Sequence, residues 1–215
     1  VLPYFIKAEN QERGKDEFHG VGGPLSVSDQ RIHLPLLDEF QNAAEEFGIP
    51  KTKDFNTGNN HGCGYFQVTE KNGFRCSASV GYLNPIKNRK NLKILTNAHV
   101  KKINFLNKIA EEVEFWQGNE LKKVKANKEI ILSSGSIGSP QILQVSGIGN
   151  PKKLKDLGIE MIQELNGVGE NLHDHLMLRP IYKINGIKSL NKKINSFLGN
   201  IMIGLEYIFN RSGPM

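Results

Sequence analysis

The residues best suited to holding a ligand through the main chain are Ser134, Gly135 and Ser136, which follow the continuous apolar stretch Ile130-Ile131-Leu132. A turn of small residues at the carboxyl end of a buried parallel strand lets a ligand approach backbone N–H groups closely, because little side chain stands in the way. The same three residues equally suit an ordinary strand-to-helix turn, and pattern alone leaves both readings open. Two Gly-x-Gly steps, Gly147-Ile148-Gly149 and Gly167-Val168-Gly169, resemble the start of a dinucleotide fingerprint. The third glycine is replaced by Lys152 in one and Leu172 in the other, and neither step directly follows a buried strand. The fingerprint needs all three glycines, for the turn, the pyrophosphate approach and the helix packing, so neither step qualifies.

Nucleophilic and metal chemistry find less support. His173-Asp174-His175 offers two imidazoles that share a side only in extended backbone, with no third ligand nearby in sequence. The other histidines, His19, His33, His61 and His99, stand alone and read as structural or exposed. A Gly-x-Ser-x-Gly elbow is absent, since Gln144 precedes Val145-Ser146-Gly147 where a glycine is required. Cys63 and Cys76 are too few for a disulfide scaffold and are not spaced for zinc. A reducing compartment is the simpler expectation.

Several elements must position these residues. Apolar residues at 36, 37, 40, 43, 44 and 47 have helical spacing, and Gly48 and Pro50 close that helix. Leu25-Ser26-Val27 predicts a short strand, and Gly64–Thr69 another inside an Asn/Gly-rich stretch. Leu92–Thr96 predicts a strand. Alternation over Ala98–Leu106, Glu111–Trp116 and Leu121–Ala126 then predicts an antiparallel meander. Glu129–Leu132 predicts a buried parallel strand that feeds the Ser134–Ser136 turn and a helix from Ser139 to Val145, the pattern of an α/β nucleotide domain. Beyond it come a helix at Lys152–Leu157, strands at Ile159–Ile162 and Ile181–Ile184, a glycine-punctuated loop at Leu165–His175, and a helix at Leu198–Phe209 that ends before Ser212-Gly213-Pro214.

The 215 residues carry a net charge of +6, a pI near 9.2 and a mean hydropathy of −0.39, values of a folded, water-compatible chain rather than a disordered one. No stretch approaches the roughly 18 consecutive apolar residues of a membrane-spanning helix. Lysine and asparagine number 22 each against 6 arginines, and the lysines are scattered along the chain. Nucleic-acid binding calls for a basic stripe with stacking aromatics or arginines at base edges, so these lysines read as solvated faces. The chain starts at Val1, inside what reads as an element already under way, and is expected to be part of something longer.

One stretch takes the reading further. Gly135-Ser136, Ser139-Pro140, Ile142-Leu143 and Ser146-Gly147-Ile148-Gly149 together resemble the second signature of the glucose–methanol–choline (GMC) flavoprotein oxidoreductases, with every constrained position met. The flanks are similar to that family as well: Tyr82-Leu83 with Pro85, Leu95-Thr96 with Ala98 and Val100, and Gly167-Val168-Gly169-Glu170-Asn171-Leu172-His173-Asp174-His175. Ala126 to Leu132 and Glu170-Asn171-Leu172 lean toward choline-dehydrogenase-like members, and the likeness runs from about Leu2 to Pro214. Glu111-Glu112 departs from the pattern, standing where the family usually has an aliphatic residue and a glycine.

The resemblance implies an α/β fold, α+β overall. It would comprise part of an FAD/NAD(P)-binding Rossmann-like domain with an antiparallel β-meander, plus part of a GMC substrate-binding domain. Residues 91–170 would belong to the FAD domain, residues 1–90 mostly to substrate-side and connecting segments, and residues 171–215 to the start of the substrate domain. It implies FAD-dependent oxidation of an alcohol CH–OH group to a carbonyl on a small-molecule substrate. The electron acceptor is unspecified, nucleic acid is not expected as a partner, and membrane association of a longer enzyme stays open. The location would be cytoplasmic, or peripheral to the inner face of a bacterial membrane. Val100 matches the position whose main chain meets the adenine, and Ser134, Gly135 and Ser136 match the turn beside the ribose and pyrophosphate. No catalytic or metal-binding residue is expected within this chain. The Gly-x-Gly-x-x-Gly segment is expected before Val1 and the catalytic histidine after Met215, so the 215 residues alone are expected to bind FAD weakly and to lack catalysis. The alternatives are a redox-inactive homologue of the same fold and a small basic binding module.

Overall fold

The computed structural model describes residues 1–186 and 189–213. The elements run α1 (Leu2–Ala8), β1 (Glu9–Gln11), β2 (Leu25–Val27), α2 (Pro35–Glu46), β3 (Glu70–Lys71), β4 (Phe74–Arg75), a π-helical turn at Ser79–Leu83, then β5 (Ala98–Leu106), β6 (Ile109–Gln117) and β7 (Glu120–Lys125). They continue with α3 (Gly135–Val145), β8 (Ile148–Gly149), α4 (Pro151–Asp156), β9 (Gln163–Glu164), α5 (Leu190–Ile194) and α6 (Phe197–Asn210). Pro214, read from sequence as part of the break after the last helix, lies outside the described residues. Two compact units result, one formed by Val1–Leu92 with the residues from Ile181 onward, the other by Lys93–Pro180.

In the first unit, β1 and β2 pair in parallel, Glu9 opposite Leu25 and Gln11 opposite Val27. The helix predicted around residues 36–47 forms as α2. Its end is tied by Gly48 N–H donating to Glu45 O and Ile49 N–H to Ala44 O, which satisfies carbonyls that the helix itself cannot. A two-residue turn at Asn72-Gly73 joins β3 to β4. Helix α6 fastens to this hairpin: Tyr207 Oη donates to Gly73 O at 3.3 Å, and the Arg211 guanidinium lies over the Phe74 ring at 4.6 Å. The expected strand at Gly64–Thr69 is instead irregular, held by isolated bridges from Cys63 to Lys51 and from Val68 to Ser28. Ile181–Ile184 also forms no strand, and Ile181 is almost fully exposed.

In the second unit, the three predicted strands form the meander β5-β6-β7. Two-residue turns join them, at Asn107-Lys108 with φ of 50° and 65°, and at Gly118-Asn119. Such positive-φ turns match the right-handed twist of paired strands. Ile103 and Phe115 are buried in this sheet. Helix α3 is bolted to β5 through Ser146, whose Oγ accepts from Ile103 N at 2.8 Å and donates to Ile142 O at 2.5 Å. The chain then turns at Gly147, φ 88°, where a Cβ would come within 2.4 Å of Glu160 O. That space lets β8 pair in parallel with β9, Ile148 opposite Gln163.

Several sequence expectations in this unit shift. Helix α3 starts at Gly135, a turn before the expected Ser139. The parallel partner falls at Gln163–Glu164 instead of Ile159–Ile162, because Leu157 to Ile159 are occupied in closing α4, with Ile159 N–H donating to Leu154 O. Neither Leu92–Thr96 nor Glu129–Leu132 is paired as a strand, and Ile131 is 78% exposed. A buried strand needs neighbours for its N–H and C=O groups, and among the described residues no strand lies beside either segment.

Candidate functional site

The site is built around the first turn of α3. Gly135 has φ 78°, a left-handed conformation that glycine adopts freely, and apart from its chain neighbours and its own helix backbone nothing lies within 4 Å of where its Cβ would be. Ser134, Gly135 and Ser136 are all exposed. Ser134 N–H is taken by Ser139 Oγ at 2.9 Å, and no side chain caps the helix, so the first-turn amides are left to other acceptors. Pro140 sits inside the helix and has no N–H, so the carbonyl of Ser136 cannot be met by the residue four positions along. The uncapped first-turn amides therefore face an open approach.

Two grooves lie on either side of α3. One, of about 460 Å³, is lined by Val100, Lys101, Trp116, Ser134, Gly138 and Gln141 among others. It brings Val100 and Ser134 together across 33 intervening positions in the fold of the meander against α3. Strand β5 is an edge of its sheet, which leaves alternate backbone groups available to a ligand. The other groove, of about 530 Å³, includes Ser136, Ile137, Gln141, Gln144, Asn171 and His173. Its far wall is fixed by Gln144 Nε2 donating to Val168 O at 3.0 Å and by the Lys153–Glu170 ion pair. Of the four sequence-derived residues, Val100 and Ser134 share one groove, Ser136 lines the next, and Gly135 sits at the helix start between them.

Around this site the electrostatics are set by β6. Glu114 is buried, and its carboxylate accepts from Asn104 Nδ2 at 3.1 Å, Lys123 Nζ at 3.0 Å and Lys101 Nζ at 3.3 Å. The hydrogen bond from Asn104, then those from Lys123 and Lys101, pull its pKa down to about 2. Glu112 is lowered for the same first reason, the Asn104 hydrogen bond, with Lys123 next. The pair at 111–112 that departs from the family pattern does disturb the local pairing: Asn104 faces Glu112 and Phe105 faces Ala110, which leaves Glu111 as an extra residue on β6, while Glu112 keeps its place opposite Lys125 on β7.

The arrangement is suited to binding a ligand through main-chain groups. Ser136 and His173 line one groove but are not hydrogen-bonded to each other among the described contacts. Among the described residues no cluster of three or more His, Cys, Asp or Glu is placed to hold a metal. His19, read from sequence as one of several lone histidines, is buried in the other unit, with Nδ1 3.0 Å from Glu9 Oε2. Its Nε2 lies 3.2 Å from Asp54 Oδ2 without the alignment of a hydrogen bond. Sequence reasoning also missed Trp116 and Gln141 as groove residues. The signal for Trp116 was the meander register, which sets it opposite His99, the neighbour of Val100.

Comparison with known proteins fits this geometry. Residues 1–177 match the GMC oxidoreductase family, and the chain belongs to it. It is 40% identical over 215 residues to the oxygen-dependent choline dehydrogenase of Chromohalobacter salexigens, covering 99% of this chain and 38% of that protein. It is 38% identical over 219 residues to the mitochondrial choline dehydrogenase of Homo sapiens, covering 99% of this chain and 36% of that one. Among solved structures, an FAD-dependent oxidoreductase from Chaetomium thermophilum superposes with a TM-score of 0.89 at 31% identity, over 99% of this chain and 40% of the other. The mixed α/β fold expected from sequence is therefore the fold observed. The chain spans less than two-fifths of the length of the two choline dehydrogenases.

Proposed function

We propose that this chain is part of an FAD-dependent enzyme that oxidises the CH–OH group of a small alcohol to a carbonyl, in the manner of a choline dehydrogenase. The observation that carries the reading is the identity of about two-fifths to choline dehydrogenases, which runs through 99% of the chain rather than one motif. In this reading residues 91–170 contribute to the FAD side and residues 1–90 and 171–215 mostly to the substrate side.

The residues present suit a flavin dinucleotide. The main chain at Val100, on an edge strand, offers N–H and C=O groups that can read a purine edge whatever the side chain. Ser134, Gly135 and Ser136 leave room for the ribose and pyrophosphate, and the uncapped first turn of α3 favours an anion. When bound, FAD supplies the hydride acceptor, and the protein contributes binding and orientation. No histidine of this chain is assigned the role of base; His19 in particular is buried against Glu9 and Asp54.

The test is to express the complete reading frame, measure bound flavin by visible absorbance, and follow reduction of an artificial dye and consumption of O2 with choline and a panel of other small alcohols. A yellow protein that reduces the dye only with an alcohol is the expected result. A product that is colourless, cannot be reconstituted with FAD, or turns over none of the alcohols would overturn the proposal.

A further inference from the structure

The groove holding Val100 and Ser134 has an aromatic wall that neither the signature nor the flanking motifs point to. Trp116, the single tryptophan of the 215 residues, lines it from β6. The neighbouring residue Phe115 is buried in the sheet, whereas Trp116 remains 38% exposed. It stands opposite His99 on β5 and Leu121 on β7. From α3 the groove is lined by Gly138, which adds no side chain, and by Gln141, Ile142 and Val145. The groove thus sets an indole and a mainly apolar helix surface, Ile142 and Val145 with Gly138, next to the edge-strand backbone of Val100.

We propose that Trp116 is the surface against which the purine ring of the bound dinucleotide stacks. The inference rests on the flavin-dinucleotide reading above and extends it to a residue and to one end of the ligand. A purine offers a flat π-face to any aromatic ring, and an indole is the largest such partner among side chains. Edge hydrogen bonds from the main chain and face stacking from Trp116 act at right angles to each other, so one groove can supply both. The flavin ring is the other end of the dinucleotide, so a ligand with the purine alone suffices to probe Trp116.

The two ends of the ligand can be tested separately. The protein is expressed from its complete reading frame and freed of flavin, and the emission lost in W116F, excited at the red edge of indole absorption, is assigned to Trp116. AMP absorbs at neither wavelength, so a saturable change in that emission reports contact. AMP is expected to quench it, ribose 5-phosphate at equal concentration, which lacks the purine and absorbs at neither wavelength, is not, and W116L is expected to weaken FAD binding, measured by equilibrium dialysis, by roughly tenfold. W116F, which keeps a ring, should retain most of the affinity. Circular dichroism of W116L confirms that the sheet is intact, and if it is not, the AMP titration of the wild type alone decides. If the flavin-free protein rebinds FAD but AMP leaves its Trp116 emission unchanged, or W116L holds FAD as tightly as the wild type, the stacking role is wrong while the flavin reading survives. If no FAD is retained at all, both fall.

Discussion

Ser146 is the residue on which the placement of α3 depends most directly. Its hydroxyl accepts from Ile103 N and donates to Ile142 O, so one side chain links strand to helix. In S146A the buried Ile103 N–H loses its partner, and a stranded buried donor costs about 1–3 kcal/mol. The midpoint of urea denaturation should fall accordingly with an unchanged slope. An unaltered midpoint would mean that the bond to β5 adds nothing. Glu114 poses a different question, one of pH. Its folded pKa of about 2 lies below the ordinary 4.5, so its contribution to stability is complete above about pH 5 and is lost as pH falls toward 2. Glu112 is shifted in the same direction. Lys123, raised by its bonds to Glu114 and then Glu112, contributes fully below its ordinary 10.5 and loses that contribution as the pH rises above it. Acid titration followed by circular dichroism should show the wild type losing stability between pH 5 and 2, and E114Q losing less over the same interval. Equal acid sensitivity of the two proteins would exclude Glu114 as a contributor.

At the scale of elements, the predictable features are those whose causes are local. The meander was legible because alternation and the turns at 107–108 and 118–119 specify strands that pair with their immediate neighbours. Helix α2 was legible because its apolar spacing ends in a glycine closure. Asn72-Gly73 carries an equally local turn signal, and the hairpin β3–β4 follows from it, although sequence periodicity over two-residue strands is too short to register. The segments at 92–96 and 129–132 have strand-like composition, yet composition does not supply the neighbouring strands on which pairing depends. The early start of α3 was hidden by Gly135, Gly138 and Pro140, three poor helix formers within its first six residues, which tertiary anchoring by Ser146 overrides. The Val100–Ser134 groove follows from packing between elements and was reachable from sequence only through family resemblance. Helix α4 offers a test of a purely local cause. Asn150 Oδ1 accepts from Lys153 N at 3.1 Å, and its amide donates to Asn166 at 2.8 Å. N150A should cost about 1 kcal/mol and N150D less, read from thermal or urea unfolding. If both variants are as stable as the wild type, the cap does not hold this helix.

For the whole molecule, the net charge of +6 and the two units bear on how a dianionic dinucleotide would act. The scattered lysines give a broad favourable field for an anion without defining where it sits, and that field weakens as salt screens it. The site itself is local, held by β5, the turn at 134–136 and α3, all within Lys93–Pro180. Ligand binding stabilises whatever portion of the fold it contacts, and at a ligand concentration one hundred times Kd the gain is about 2.7 kcal/mol. Hydrogen exchange on the protein from the complete reading frame, with and without FAD, should therefore show added protection in peptides covering Ala98–Leu106 and Ser133–Val145. Peptides covering Glu9–Gln11 and α2, in the other unit and remote in sequence from these segments, should change less. Protection that rises evenly across both units would mean that the dinucleotide acts through global stability, and protection confined to Val1–Leu92 would mean that the first turn of α3 is not where the ligand binds.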